Sequence, residues 1–197
     1  MAPYRFDEQF LFTTNGTRKY LTQTERQDFV VAARQADCDV QLLCLIIAET
    51  GCRLSEALAL KPHNVDLANC ALTFETLKRR SRGVYRQVPV SPELLFLLQD
   101  WLQARPPFKG RLFSIHRQTA WRWVERIMAN AKIEGEHATS RGLRHGFAVA
   151  AVQNDVPLNI VQKWLGHAYL ATTAIYANAM GEEERGFAKR IWVSAEL

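Results

Sequence analysis

The sequence predicts an α+β fold that is mainly α-helical, with one small antiparallel β-sheet. Two observations predict it. Capped stretches of helical period recur along most of the 197 residues. A single interval, Ala71 to Val90, changes to the short apolar pattern of strands flanking a turn.

Residues 1–20 have no clear period. Phe6, Phe10 and Phe12 are available to pack onto a body, and Thr13-Thr14-Asn15-Gly16 reads as a turn. This stretch is expected to be an N-terminal tail or linker remnant, with 21–197 as one domain. Thr22-x-x-Glu25 is a capping box that opens a helix to about Gln35. A second helix, about Val40 to Thr50, is apolar nearly all round and so should be central, with Gly51 ending it. A short third, about Ser55 to Leu60, is stopped by Pro62. Leu72 and Phe74, then Val84, Val88 and Val90, predict two strands joined by the turn Lys78 to Gly83; a preceding strand near Val65 to Asn69 is only weakly marked.

Ser91-Pro92 supplies a cap and a first helical residue for a helix to about Ala104. After a proline-containing loop, Thr119 to Lys132 is helical, with Trp123, Ile127 and Met128 on one face and Arg122 and Arg126 on the other. From Arg141 on, Leu143, Phe147 and Ala151 recur every four residues and bury one side of a helix, which gathers Arg141, Arg144 and His145 on another. Asp155-Val156-Pro157 breaks it. Leu158 to Leu165 is amphipathic, with Val161, Trp164 and Leu165 inward and Gly166 as its stop, so His167 falls at a helix C-terminus. Thr172 to Met180 and Glu182 to Trp192 are expected to finish the chain as helices.

Hydrophobic content of 48% and charged content of 23% suit a globular chain, and no apolar run approaches the roughly 20 residues that cross a bilayer. The net charge of +5 favours a polyanionic partner, though only moderately. Cys38, Cys44, Cys52 and Cys70 match no zinc spacing and nothing suggests secretion. Reduced, mostly buried thiols and a cytoplasmic location are expected.

Three blocks hold residue types that suit chemistry on a phosphate. TGCRLSEAL carries Arg53 and Glu56; SRGLRHGFAV carries Arg141, Arg144 and His145; WLGHAYLATTAIY carries His167 and, nine residues later, Tyr176. A basic hairpin with Lys78, Arg79, Arg80, Arg82 and Arg86 lies between the first two. Singly, each has a plain reading: a salt bridge from Arg53 to Glu56, a solvated helix face at Arg144, a helix-end histidine, a packed tyrosine. Together, in this order and with these gaps, the blocks resemble the tyrosine recombinase (phage integrase) family over roughly Thr22 to Trp192.

The resemblance implies the helical catalytic domain of the DNA breaking-rejoining fold, and an enzyme that cleaves and rejoins DNA through a 3′-phosphotyrosine bond. Attack on a phosphodiester builds charge on the non-bridging oxygens, which planar guanidiniums clamp in pairs. Arg53 and Arg144 match the family's arginines, His167 its phosphate-binding histidine, and Tyr176 its nucleophile. A phenol with an ordinary pKa near 10 needs a cationic field or a base to ionise. Lys78 matches the lysine that protonates the leaving 5′-oxygen; Glu56 and His145 would orient their neighbours. Arg79, Arg80, Arg82 and Arg86, with Arg117, Gln118, Thr119 and Arg122 at a helix start, would grip DNA.

The family's second block usually opens with histidine where this chain has Arg141. Arginine cannot accept a proton, though it can hydrogen-bond a phosphate oxygen, so His167 or water becomes the candidate for deprotonating Tyr176. The implied partners are double-stranded DNA and other copies of the chain, monomeric when free and tetrameric in a synapse, with no membrane. No metal, cofactor or nucleotide is implied, because the phosphotyrosine conserves bond energy for rejoining. Two alternatives stay open from sequence: a type IB-like topoisomerase, and a DNA-binding regulator that kept the fold without turnover.

Overall fold

The computed structural model describes residues 11–76 and 83–178. Thr22 caps α1 (Gln23–Arg34): its Oγ1 accepts the Glu25 N–H at 3.2 Å, and the Glu25 carboxylate accepts the Thr22 N–H at 2.8 Å. The central helix, α2 (Cys38–Thr50), buries Leu42, Leu43, Leu45, Ile46 and Ile47, as expected of a helix apolar on all sides. Gly51 ends it in the left-handed region, φ 59°, and a Cβ there would lie 2.5 Å from Phe147 Cδ1. Backbone and packing both require glycine at this point.

The third helix, α3 (Leu54–Ala57), is shorter than expected, and a 3-10 turn, Pro62–Asn64, follows. The sheet is a three-stranded antiparallel meander of β1 (Val65–Asp66), β2 (Ala71–Glu75) and β3 (Tyr85–Pro89). The weakly marked strand is therefore present but lasts two residues, because the Asp66 carboxylate takes the Asn69 N–H at 3.0 Å and turns the chain. Leu72 pairs with Val88 and Phe74 with Arg86. The expected turn residues Lys78, Arg79, Arg80 and Arg82 lie outside the described residues.

Ser91 Oγ caps α4 (Pro92–Gln103) through the Leu94 N–H at 3.1 Å. The next helix, α5 (Arg117–Asn130), starts two residues before Thr119, since His116 Nδ1 accepts the Gln118 N–H and caps it. Thr139 caps α6 (Ser140–Gln153) and Gly166, φ 67°, closes α7 (Leu158–Leu165). The helix expected over Thr172 to Met180 is instead α8 (Ala171–Ala174) tightening into a 3-10 turn, Ile175–Asn178. Side chains three apart come into line as the coil tightens, and Thr173 and Tyr176 are both buried. Glu182 to Trp192 lie outside the described residues.

Two apolar clusters result. The larger surrounds α2 and joins α1, α4, α5 and the sheet. The smaller gathers Phe147, Val149 and Ala151 of α6 with Val161 and Leu165 of α7, Tyr176 and Leu11. Among the described residues of the N-terminal stretch, Leu11 is buried, whereas Phe12 is half exposed and meets Tyr20 edge-on; Phe6 and Phe10 lie outside the described residues. Cys44 and Cys52 are buried, and burial pushes both thiols up to about 12; Cys70 is half-buried and Cys38 exposed. No helix among the described residues is long and apolar enough to cross a membrane.

Candidate active site

The site forms where the carboxyl ends of α2 and α7 meet the side of α6. Helix ends leave carbonyls without partners inside the helix. At the end of α7, the His167 N–H returns to the Gln162 carbonyl and the Gly166 N–H to Lys163, a paired closure that still leaves Trp164 and Leu165 open. Two guanidiniums take them. Arg86 Nε donates to the Trp164 oxygen at 2.7 Å, and Arg144 Nη2 to the Leu165 oxygen at 2.8 Å. Arg144 Nη1 also donates to the Gly51 oxygen at 2.7 Å, so one side chain ties α2, α6 and α7 together. Cations at helix C-termini suit the direction of the helix dipole.

Arg53 enters from the N-cap position of α3. Its N–H meets Glu56 Oε2 at 2.9 Å, and its Nη1 meets Glu56 Oε1 at 2.9 Å. The same carboxylate receives Arg86 Nη2 at 2.6 Å. Burial by itself would raise the Glu56 carboxyl, but the charge and hydrogen bond of Arg86, with the Arg53 N–H and charge, hold it below the usual carboxylate range. Glu56 is thus a fully buried anion shared between two arginines. Two of the five N–H groups of Arg144 are spent on carbonyls, leaving donors for an anion.

Tyr176 lies against this cluster, almost completely buried. Its ring stacks on His167 at 6.3 Å between centroids and 14° between planes, and sits 5.7 Å from His145. His145 Nδ1 and the Tyr176 hydroxyl are 2.8 Å apart, while His167 Nδ1 pairs with Thr173 Oγ1 at 2.9 Å. Sequence points to His167 or water as the group that deprotonates the phenol; the side chain hydrogen-bonded to its hydroxyl in the structure is His145. Burial pushes the phenol up to about 12, with the charges of Arg144 and Arg53 pulling the other way. Burial and the neighbouring Arg144 and Arg53 bring His167 down to about 3, and burial with Arg53 brings Arg144 to about 10.

A neutral His167 at neutral pH has a consequence for stability. Between about pH 3 and its unfolded value of about 6.5, the native chain binds fewer protons than the unfolded one, so its contribution is full above that range and falls as acid is added. In thermal melts from about pH 7.5 to about pH 5, wild type should lose Tm more steeply than His167→Gln. Parallel slopes would rule out a buried neutral imidazole.

Arg53, Glu56, Arg86, Arg144, His145, His167 and Tyr176 come together; Arg141 lies exposed in the first turn of α6. Arg117, Gln118, Thr119 and Arg122 are exposed on the first turns of α5. Arg86 requires a correction. Sequence groups it with the phosphate-gripping cations of the hairpin, but its side chain is buried on Glu56, Trp164 and Thr76, the last at 3.2 Å. The alternation along β3 was the available signal: Arg86 falls in phase with Val88 and Val90, on the inward face. Thr76 and Thr173, which seat Arg86 and His167, carried no such signal. Among the described residues, no group of three or more His, Cys, Asp and Glu could hold a metal ion.

Fold and site together define a mainly helical domain that gathers arginines and imidazoles around a buried tyrosine. Residues 19–183 match the profile of the Phage integrase family, and the chain belongs to that family. It is 37% identical over 163 residues to tyrosine recombinase XerD of Neisseria meningitidis serogroup A, covering 77% of this chain and 54% of the relative. Among solved structures it resembles the XerH site-specific recombinase bound to palindromic difH substrate in a post-cleavage complex, at TM-score 0.76 and 28% identity, over 88% of this chain and 53% of that one. The catalytic domain of bacteriophage HP1 integrase aligns at TM-score 0.63 and 26% identity, over 87% of this chain and 94% of that one. The chain spans about half the length of the curated relatives it matches.

Proposed function

We propose that the chain is the catalytic domain of a site-specific DNA recombinase. The observation that carries this reading is the convergence of Arg53 and Arg144, from distant parts of the sequence, on one buried cluster with His167 and Tyr176. Arg53 and Arg144 hold the non-bridging oxygens of the scissile phosphate, and His167 supplies a further hydrogen bond. Tyr176 attacks phosphorus, the bond to the 5′-oxygen breaks, and Lys78 of the hairpin gives that oxygen its proton. The products are a 3′-phosphotyrosine and a 5′-hydroxyl; the reverse attack by another strand's hydroxyl rejoins the DNA. Glu56 and Arg86 position the two ends of the clamp. Arg141 contacts phosphate from the exposed turn of α6, and Arg79, Arg80, Arg82, Arg117, Gln118, Thr119 and Arg122 hold the duplex.

The relatives named recombinases favour strand exchange over simple relaxation; we propose that four copies meet in a synapse. The test is a nicked suicide duplex that loses its short 5′ fragment on cleavage. Wild type should become covalently linked to DNA and release a fragment whose 5′ end is hydroxyl. Because guanidiniums supply the positive charge, a chelator should leave the yield unchanged. A released 5′-phosphate, or loss of the adduct with chelator, would overturn this chemistry.

A further inference from the structure

The proposed reaction leaves one proton unassigned. Tyr176 must lose its phenolic hydrogen on attack, and Arg141 cannot take it. We propose that His145 is the catalytic base that accepts this proton, a step that rests on the recombinase reading above. His145 Nδ1 lies 2.8 Å from the Tyr176 hydroxyl, inside the range for direct transfer. His167 is not placed for it: its Nδ1 is held by Thr173 Oγ1 at 2.9 Å, and its ring stacks flat on the phenol. Among the described residues, the cations whose charge acts on the phenol are Arg144 and Arg53, which stay charged and stabilise the phenolate without accepting a proton.

The step balances. As the Tyr176 oxygen bonds to phosphorus, its hydrogen passes to His145 Nδ1, giving an imidazolium. The 5′-oxygen leaves with its bonding electrons and takes a proton from Lys78. On rejoining, the incoming 5′-hydroxyl returns a proton to Lys78, and the imidazolium reprotonates the departing phenolate. The position next to Arg144 suits this cycle. The carbonyl contacts that fix Arg144 on α6 also fix the backbone from which His145 projects, so base and clamp move as one. Protonated, the ring joins Arg144, Arg53, Arg86 and His167 in one crowded field, which favours returning the proton.

The test uses single-turnover cleavage of suicide duplexes selected from a randomised pool by covalent trapping on the wild-type chain. His145→Gln should cleave about 10²–10⁴-fold more slowly while binding the same duplexes as wild type. Wild-type cleavage should rise across neutral pH; His145→Gln should lack that rise, whereas His167→Gln should keep it. Among the described residues, the titratable and charged groups around this pair are Tyr176 on the 3-10 turn, His167 after α7, Arg144 and Arg141 on α6, Arg53 before α3 and Arg86 on β3. Added imidazole should restore part of the rate to His145→Ala. Without any substitution, the ζ-carbon NMR signal of Tyr176 in free wild-type chain should shift as pH crosses the histidine range. A folded His145→Gln within about threefold of wild type with the same pH profile, or an unmoved ζ-carbon signal, overturns the assignment alone. If wild type traps no duplex, the parent reading fails and this assignment with it.

Discussion

Replacing Arg86 with alanine is expected to lower the stability of the domain by about 3–5 kcal/mol, the cost of breaking a buried ion pair from one side. The substitution strips the shortest partner from Glu56, whose carboxylate has no contact with water, and leaves Arg53 as its single cation among the described residues. It also removes the donor to the Trp164 oxygen at the end of α7 and to Thr76 Oγ1. Urea unfolding should register this as a fall in midpoint with little change in slope. Neutralising both partners, Arg86→Met with Glu56→Gln, should recover part of the loss, because the uncompensated charge is gone. If the double variant is no better than Arg86→Ala, the pair is not the source of the effect.

Arg144→Ala carries the largest expected effect on chemistry. Its guanidinium is proposed to hold a phosphate oxygen in the transition state, and removing one such donor costs about 10²–10³ in rate. Two further losses should add to this. The Gly51 and Leu165 oxygens lose their donor, loosening the junction of α2 and α7 on which His167 rests. The phenol of Tyr176 loses the cation that most favours its ionised form, so it moves still further up. Arg144→Lys keeps the charge but not the fork that reaches two carbonyls at once, so it should recover little. Binding to duplex DNA, measured at fixed salt, should fall far less than single-turnover cleavage. Equal losses in both would make Arg144 a binding residue rather than a participant in the reaction.

Much of this arrangement is legible in the sequence, and the illegible parts share a cause. The amphipathic run from Leu158 to Leu165 and the glycine after it state where α7 ends, and hence where His167 sits, since both signals are local. The capping box at Thr22 and Glu25 is local in the same way. Arg86 was misplaced because five cations in one hairpin read as a single surface; its true partners, Glu56 and Trp164, are 30 and 78 residues away. Only the phase of β3 hinted at it. The early start of α5 was hidden because histidine is not among the usual N-cap residues, although His116 performs that role. The pairing of His145 with Tyr176 joins α6 to the 3-10 turn after α8 across 31 residues, a contact that no local signal states.

The central claim is that one phenol, set among clamped arginines, becomes the covalent link to DNA. Digesting the trapped adduct and sequencing the nucleotide-bearing peptide by mass spectrometry tests it most directly. The account predicts a 3′-phosphoryl nucleotide on Tyr176, and no adduct at all from Tyr176→Phe. An adduct on Tyr169, Tyr20 or a serine, or one that persists in Tyr176→Phe, would contradict it.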